Sequence, residues 1–270
     1  MYSSLNIYNQ PVTLAPTTVA SPNAAYQRMA NFWGLVEDLK EGTYKIRSEH
    51  RKYLNQEPRE TDDAYDTRLA RSTVVPYLQR IEKMLSGMLV RKPVRLDDVS
   101  DLVREQLFDV DLEGNDLNVW LYQTARQAIS FGHVGVLVDA PKEGDKTRPY
   151  WVTYTPKDIL GFRSEIVDGV RQLTQLRLLE QVVEPDGKYG DKIIKQIRVL
   201  ERGRYEIHRK DDKKGEYKLF EEGEMSLKDK IPFAVAYSNR VGFYESRSPL
   251  YDIAELNLKH YQIQSDLDNI

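Results

Sequence analysis

The stretch Ser130-Phe131-Gly132-His133-Val134-Gly135-Val136-Leu137-Val138-Asp139 decides the fold. Up to Phe131, apolar residues recur three and four apart, the spacing of an amphipathic helix. After Gly132 the run from Val134 to Val138 is continuously apolar and ends in Asp139-Ala140-Pro141, which reads as a buried strand. Gly132 and Gly135 supply backbone freedom around this helix-to-strand turn.

Towards the N-terminus the pattern is helical. Ser21-Pro22 predicts a helix start, with Tyr26, Met29, Phe32, Trp33 and Val36 on one face and a stop near Gly42. A charged helix over 43–54 follows. Thr61-Asp62 opens the strongest helical stretch, which runs to about Val90 with a break at Thr73–Pro76. Its later apolar stripe is Ile81, Met84, Leu85, Met88 and Leu89, and Pro93 ends it. Short helices are expected over 99–107 and 117–131.

Towards the C-terminus the pattern is strand. Strands are predicted at 151–154, 159–162, 172–183, 193–200, 204–209, 217–220 and 233–237. The turn signals Asp168-Gly169, Asp186-Gly187, Arg202-Gly203 and Lys214-Gly215 separate the longer ones, and the whole reads as an antiparallel meander. Ser248-Pro249 then opens a last helix that meets no stop signal before Ile270, so the chain is expected to be the front part of a longer protein. Fold class is therefore α+β: N-terminal helices, a strand meander and a C-terminal helix. The expected divisions are an extended arm over 1–21, a mixed domain over 22–245 and the terminal helix over 246–270.

Composition narrows the chemistry. The 270 residues carry 39 Lys+Arg against 42 Asp+Glu and no cysteine, so disulfides, thiolate zinc sites and a cysteine nucleophile are excluded. No apolar run reaches the ~18–20 residues of a membrane span. A net charge of -3 argues against gripping nucleic acid over the whole surface. Tyrosine dominates the aromatics, 17 against 7 Phe and 3 Trp, which suits rings with one buried and one wet end, as at subunit interfaces.

Catalytic motifs are absent: no Walker loop, no G-x-G-x-x-G, no G-x-S-x-G elbow and no H-E-x-x-H. The four histidines, His50, His133, His208 and His260, have no ligand spacing. Asp109-Val-Asp111-Leu-Glu113-Gly114-Asn115 imitates the start of a calcium loop, but Trp120 stands where the bidentate Glu belongs. Its plain reading is an acidic turn in which Asp116 caps the next helix. Asp139 at a strand end, with Asp109 or Asp111, is the carboxylate set that a two-metal nuclease or phosphohydrolase would need.

Charge is segregated. Residues 97–116 hold eight carboxylates against Arg104 alone, a net of −7; residues 202–218 hold seven cations against four carboxylates, a net of +3. The basic hairpin, with Arg209, Lys210, Lys213 and Lys214, could touch DNA or pair with the acidic patch of an identical neighbour. Reversing Lys213 and Lys214 is then expected to weaken self-association at low salt.

Taken in order, the motifs resemble a known family. They are Tyr65-x-x-Arg68-Leu69, Leu85-Ser-Gly87-Met-Leu-Val-Arg91-Lys-Pro93, Asp109-x-Asp111-x-x-Gly114, Ser130-Phe-Gly132-His-Val-Gly135-Val-Leu-Val-Asp139-Ala-Pro141, Arg148-Pro-Tyr150 and Tyr154-x-Pro156-x-Asp158-Ile159. The series closes with Ser248-Pro249-Leu250-Tyr-Asp252 and Asn257-Leu-Lys-His260-Tyr261-Gln-x-x-Ser265-Asp266. This order and spacing, over about 60–270, is similar to the portal proteins of tailed bacteriophages, particularly those of cyanobacterial phages. The resemblance implies a ring, usually of twelve subunits, at one capsid vertex of the virion, assembled in the host cytoplasm. Double-stranded DNA passes through its channel during packaging and ejection. Its partners are the major capsid protein, the terminase and head-tail adaptor proteins, with no membrane and no cofactor. Residues 22–245 would then be mostly wing and the helix from Pro249 would lead towards the stem. Asn257, His260 and Tyr261, on the last helix, are expected to face a neighbouring subunit as readily as the channel. Such a conduit is expected to have no catalytic residues, since terminase hydrolyses the ATP. The rivals are a metal-dependent hydrolase built on Asp109, Asp111 and Asp139, and a monomeric DNA-binding module using the basic hairpin.

Overall fold

The computed structural model describes residues 18–140, 148–211 and 215–268. Most of the expected arm, Pro141, Lys213 and Lys214 lie outside the described residues. The chain is α+β, with helices first, antiparallel strands next and a helix last. It divides into two compact units. One contains the residues up to Ala30, Val134–Ala236 and Gly242–Glu245; the other contains Asn31–His133, Tyr237–Val241 and the residues from Ser246 on.

The first unit holds helix α1 (Ala24–Ala30) and two sheets. Asn23 Oδ1 accepts the Tyr26 amide at 2.9 Å and caps α1, two residues after the expected start, because the Ser21 hydroxyl is engaged by Thr18. The end of the arm lies on its own unit. Arg177 Nη1 donates to the Val19 carbonyl at 2.8 Å, and the Asn23 amide donates to the Leu160 carbonyl at 2.8 Å.

The larger sheet is a five-stranded meander of β3 (Ile159–Val167), β4 (Val170–Asp186), β5 (Gly190–Glu201), β6 (Arg204–Lys210) and β7 (Tyr217–Glu224) in sequence order. Asp168 and Gly169 both have positive φ, 51° and 76°, between the paired residues Val167 and Val170. That is the left-handed two-residue turn whose twist matches the strands. β4 and β5 pair out to Asp186 and Gly190, whereas β3 covers β4 only as far as Leu178 and β6 covers β5 only from Gln196. Beyond those points they form a two-stranded ribbon carrying exposed Val183, Tyr189 and Ile193.

The outermost predicted strands leave the meander. β2 (Tyr150–Tyr154) and β8 (Phe233–Tyr237) flank β1 (His133–Asp139) in a separate three-stranded sheet. β1 buries Val134 and Leu137 and needs both edges satisfied, which two sequence-distant strands provide. Gly135 on β1 lies directly under the Phe233 ring, where a Cβ would collide. Phe233 in turn stacks on Tyr244 at 5.9 Å, in a core with Leu137, Tyr154, Leu176, Leu178 and Leu200.

The second unit is helical: α2 (Trp33–Glu41), α3 (Thr43–Ser48), α4 (Asp62–Arg71), α5 (Tyr77–Leu89), α6 (Asp101–Gln106), α7 (Leu117–Phe131) and α8 (Tyr251–Leu267). The long first helix of the sequence reading is interrupted at Asn31–Phe32, and the charged second one closes early in a 3-10 turn at His50–Lys52. Thr61, Ser100 and Asp116 cap α4, α6 and α7 with their side-chain oxygens. Pro76, the N-cap of α5, has no side-chain acceptor, so the cap comes from afar: Asn257 Oδ1 on α8 accepts the Leu78 amide at 3.2 Å, and its Nδ2 donates to the Val75 carbonyl at 3.0 Å. Gly132 ends α7 at φ 95°, a left-handed cap.

Candidate interaction surface

Helix α5 is built inside out. The positions that face its own unit are Leu78, Glu82 and Ser86; of the apolar stripe of the sequence, Ile81 is half-buried, whereas Met84, Leu85, Met88 and Leu89 are exposed at 36–69%. Glu82 fixes this orientation. Its carboxylate is fully buried and takes Lys40 Nζ at 2.8 Å, Ser130 Oγ at 2.7 Å and Arg126 Nη2 at 3.1 Å. Burial pushes its pKa up, but those three donors outweigh burial and hold it below the ordinary carboxylate value. With Glu82 inside, its carboxylate depends on these donors, because a buried carboxylate left unpaired is costly, and the apolar face of α5 is the one left outward.

Gly87 lies within this helix and, its own helix backbone aside, no heavy atom of the described residues is within 4 Å of where a Cβ would stand. A glycine there costs about 1 kcal/mol relative to alanine, and nothing within the described residues requires it. Helix α8 repeats the inversion: Asn257, Tyr261 and Ser265 face inward, and Leu256, Ile263 and Leu267 face outward at 70%, 48% and 60% exposure. Exposed apolar residues at helical spacing on two helices make these faces the candidate interaction surface of the described residues.

Other motif residues hold the helical unit together. Arg68 is buried on α4 and grips Glu60 with Nε and Nη2 at 2.8 and 2.7 Å; Nη2 also donates to the Asn55 carbonyl. Its Nη1 lies 3.4 Å from Asp266 on α8, and Ser72 and Ser265 join the same two helices at 2.7 Å. The Arg68 hydrogen bonds push the Glu60 pKa down to about 2. Asn257 and Tyr261 are buried in the unit itself, so they belong to its interior, and His260 sets its ring edge-on to Tyr77 at 5.3 Å. Arg91 and Pro93 are exposed beyond α5; Pro249 precedes α8, whose Asp252 pairs with Arg247 at 3.0 Å.

At the Gly132 cap, a Cβ would meet the Arg247 carbonyl carbon and oxygen at 2.8 and 2.9 Å, and would also collide with Ser246 Oγ. The adjacent His133 is 1% exposed, with Nδ1 2.5 Å from Ser246 Oγ, and burial pulls its pKa down to about 4.

The carboxylates of the hydrolase reading are engaged locally. Asp109 Oδ1 accepts the Gly114 amide at 2.9 Å, and Asp111 accepts the Glu113 amide at 3.0 Å and Asn115 Nδ2 at 2.7 Å, so they tie up their own turn. Asp139 belongs to the other unit, where Arg198 Nη1 lies 2.6 Å from it and Arg198 Nε lies 2.8 Å from Glu180. Tyr154 and Gln196 complete this cluster with hydrogen bonds to Glu180 at 2.6 and 2.8 Å. A cation approaching Asp139 would compete with a guanidinium already in place. Among the described residues no three His, Cys, Asp or Glu side chains gather as a metal-binding set, and no helix is long and apolar enough to cross a membrane.

The basic hairpin spends much of its charge at home. Arg202 pairs with Glu165, Arg204 with Glu201, Lys218 with Asp211, and Arg209 with Glu184 at 2.8 Å while lying over the Phe220 ring. Lys210 is exposed. The interaction signal missed by sequence reasoning is Glu82: a single carboxylate in an otherwise apolar and basic helix, with Lys40 and Arg126 on elements that reach it only in the fold. No protein-family model matches this chain, and no curated protein matches it.

Proposed function

We propose that this chain is a subunit of a ring-shaped phage portal, a passive conduit for double-stranded DNA at a capsid vertex. The observation that carries the reading is the outward apolar face of α5, whose inner face is occupied by a buried ion-pair cluster. A helix in this state is complete only when another surface covers it, and a ring of identical subunits supplies that surface everywhere without leaving an end. The charge balance supports the same role. A channel through which DNA slides gains nothing from strong phosphate contacts, each of which adds salt-sensitive drag. The ordered motif series described above is what narrows assembly in general to a portal in particular.

The test is sedimentation of the chain over a concentration series, followed by electron microscopy of the heavier fraction. Closed rings with an opening that admits a duplex are the expected result. Particles that remain single-copy at the highest concentration would overturn the reading, as would divalent-metal-dependent cleavage of DNA that disappears in Asp139→Asn.

A further inference from the structure

We infer that the outward face of α5 docks onto the acidic, apolar segment 97–119 of a second copy of this chain, in a head-to-tail contact. This rests on the ring reading and names the two surfaces that would make it.

The α5 face carries its own charge signature. Arg80, Lys83, Arg91, Lys92 and Arg95 lie on or just beyond the helix; all are exposed, and none forms an ion pair among the described residues. The one carboxylate in this stretch, Glu82, is turned inward and already paired with Lys40 and Arg126. The face is therefore an apolar ridge of Met84, Leu85, Met88 and Leu89 with a wholly cationic rim.

Segment 97–119 is its chemical complement. Asp97, Asp98, Asp101 and Glu105 are exposed and likewise form no ion pair among the described residues. Between and beyond them Val103, Phe108, Leu112 and Val119 are exposed, Phe108 at 73%. Both patches belong to the helical unit, yet neither neutralises the other within it. The hairpin that seemed the natural partner for the acidic patch has paired Arg202, Arg204, Arg209 and Lys218 with carboxylates of its own sheet. The cations of α5 and the stretch just beyond it form no such pairs among the described residues.

Three features then find one explanation. The apolar ridge is covered by apolar side chains of the neighbour. Two rims of opposite sign meet and fix the register. Gly87, whose Cβ position meets nothing beyond its own helix among the described residues, lets the facing surface approach the helix closely. Methionines at the centre suit such a contact because their flexible side chains adapt to the opposing surface. Since the two patches differ, the contact is heterologous, and its repetition makes a ring where the rotation per subunit divides a full turn.

The experiment uses charge reversal in the full 270-residue chain. One variant carries Arg80→Glu, Lys83→Glu and Arg91→Glu; the other carries Asp97→Lys, Asp101→Lys and Glu105→Lys. Each alone is expected to shift the self-association midpoint to about tenfold higher concentration or more, because like charges then face each other. An equimolar mixture is expected to regain assemblies, now with the variants alternating. Met88→Ser with Leu89→Ser should lose association while every charge is kept. Circular dichroism spectra and melts matching the parent establish that each variant is folded. If the parent assembles and both charge variants assemble equally well, or if the mixture fails to recover, this pairing is wrong and the ring reading survives. If the parent itself stays single-copy, both fall.

Discussion

Acidification to about pH 5 tests the His133 environment, because an ordinary imidazole titrates above that value. His133 is 1% exposed, and its ordinary pKa of 6.5 is pulled to about 4 by burial. The folded state therefore holds the ring neutral while the unfolded chain takes up a proton. This stabilisation is complete above the unfolded value and is lost as pH falls from about 6.5 towards about 4. Between about pH 7 and about pH 5 the loss is about 2 kcal/mol, a fall in melting temperature of roughly 4–8 °C. Thermal melts of the parent and of His133→Gln over this range provide the assay, with ¹H–¹⁵N imidazole spectra reporting the ring directly. The variant, which cannot titrate there, is expected to show a slope shallower by that amount. Parallel slopes, or an imidazole titrating near 6.5, would refute the claim that burial governs this residue.

Four further outcomes follow from the geometry. Gly132→Ala combines a φ of 95° with backbone of Arg247 at 2.8 Å and is expected to cost about 2–4 kcal/mol; a melt within 1 °C of the parent would contradict that. Glu82→Ala strands Lys40 and Arg126 and should cost about 3–5 kcal/mol by denaturant titration, an effect that an exposed glutamate would not give. Glu60, whose pKa falls from 4.5 to about 2 through Arg68, stabilises the fold above its unfolded value and ceases to as pH drops towards 2. Glu60→Gln should thus be less stable than the parent at neutral pH but flatter below about pH 4.5, and an unchanged acid limb would count against the Arg68 pairing. Gly87→Ala should stabilise the unassembled chain by about 0.5–1 kcal/mol while weakening self-association; strengthening both would place the glycine away from any contact.

The parts of the fold legible in the sequence are those set by neighbours along the chain. Asp168-Gly169 demanded a left-handed hairpin turn, Pro76 broke the long helix, and Asp116 capped α7, all from a few residues of context. What escaped depends on contacts between distant residues. No glycine or proline announces the interruption at Asn31–Phe32. The period of α5 gives its apolar face but not which face its unit will accept, and that is settled by Lys40 and Arg126 around Glu82. β2 and β8 read as meander strands because nothing local says that β1 needs two edges covered. Asn257 caps a helix whose first residue, Tyr77, stands 180 positions earlier in the chain, so no window could assign it.

The ribbon beyond Leu178 and Gln196 has a mechanical consequence of its own. Past Glu184, which Arg209 still holds, the strand ladder joins the two strands only to each other among the described residues, so the tip is a segment able to open while the five-stranded body stays shut. A protease would cut first at its tip near Tyr189, and the severed halves would remain anchored through β3 and β6. The same tip is the place where a peptide tag could be inserted at least cost to the rest of the molecule.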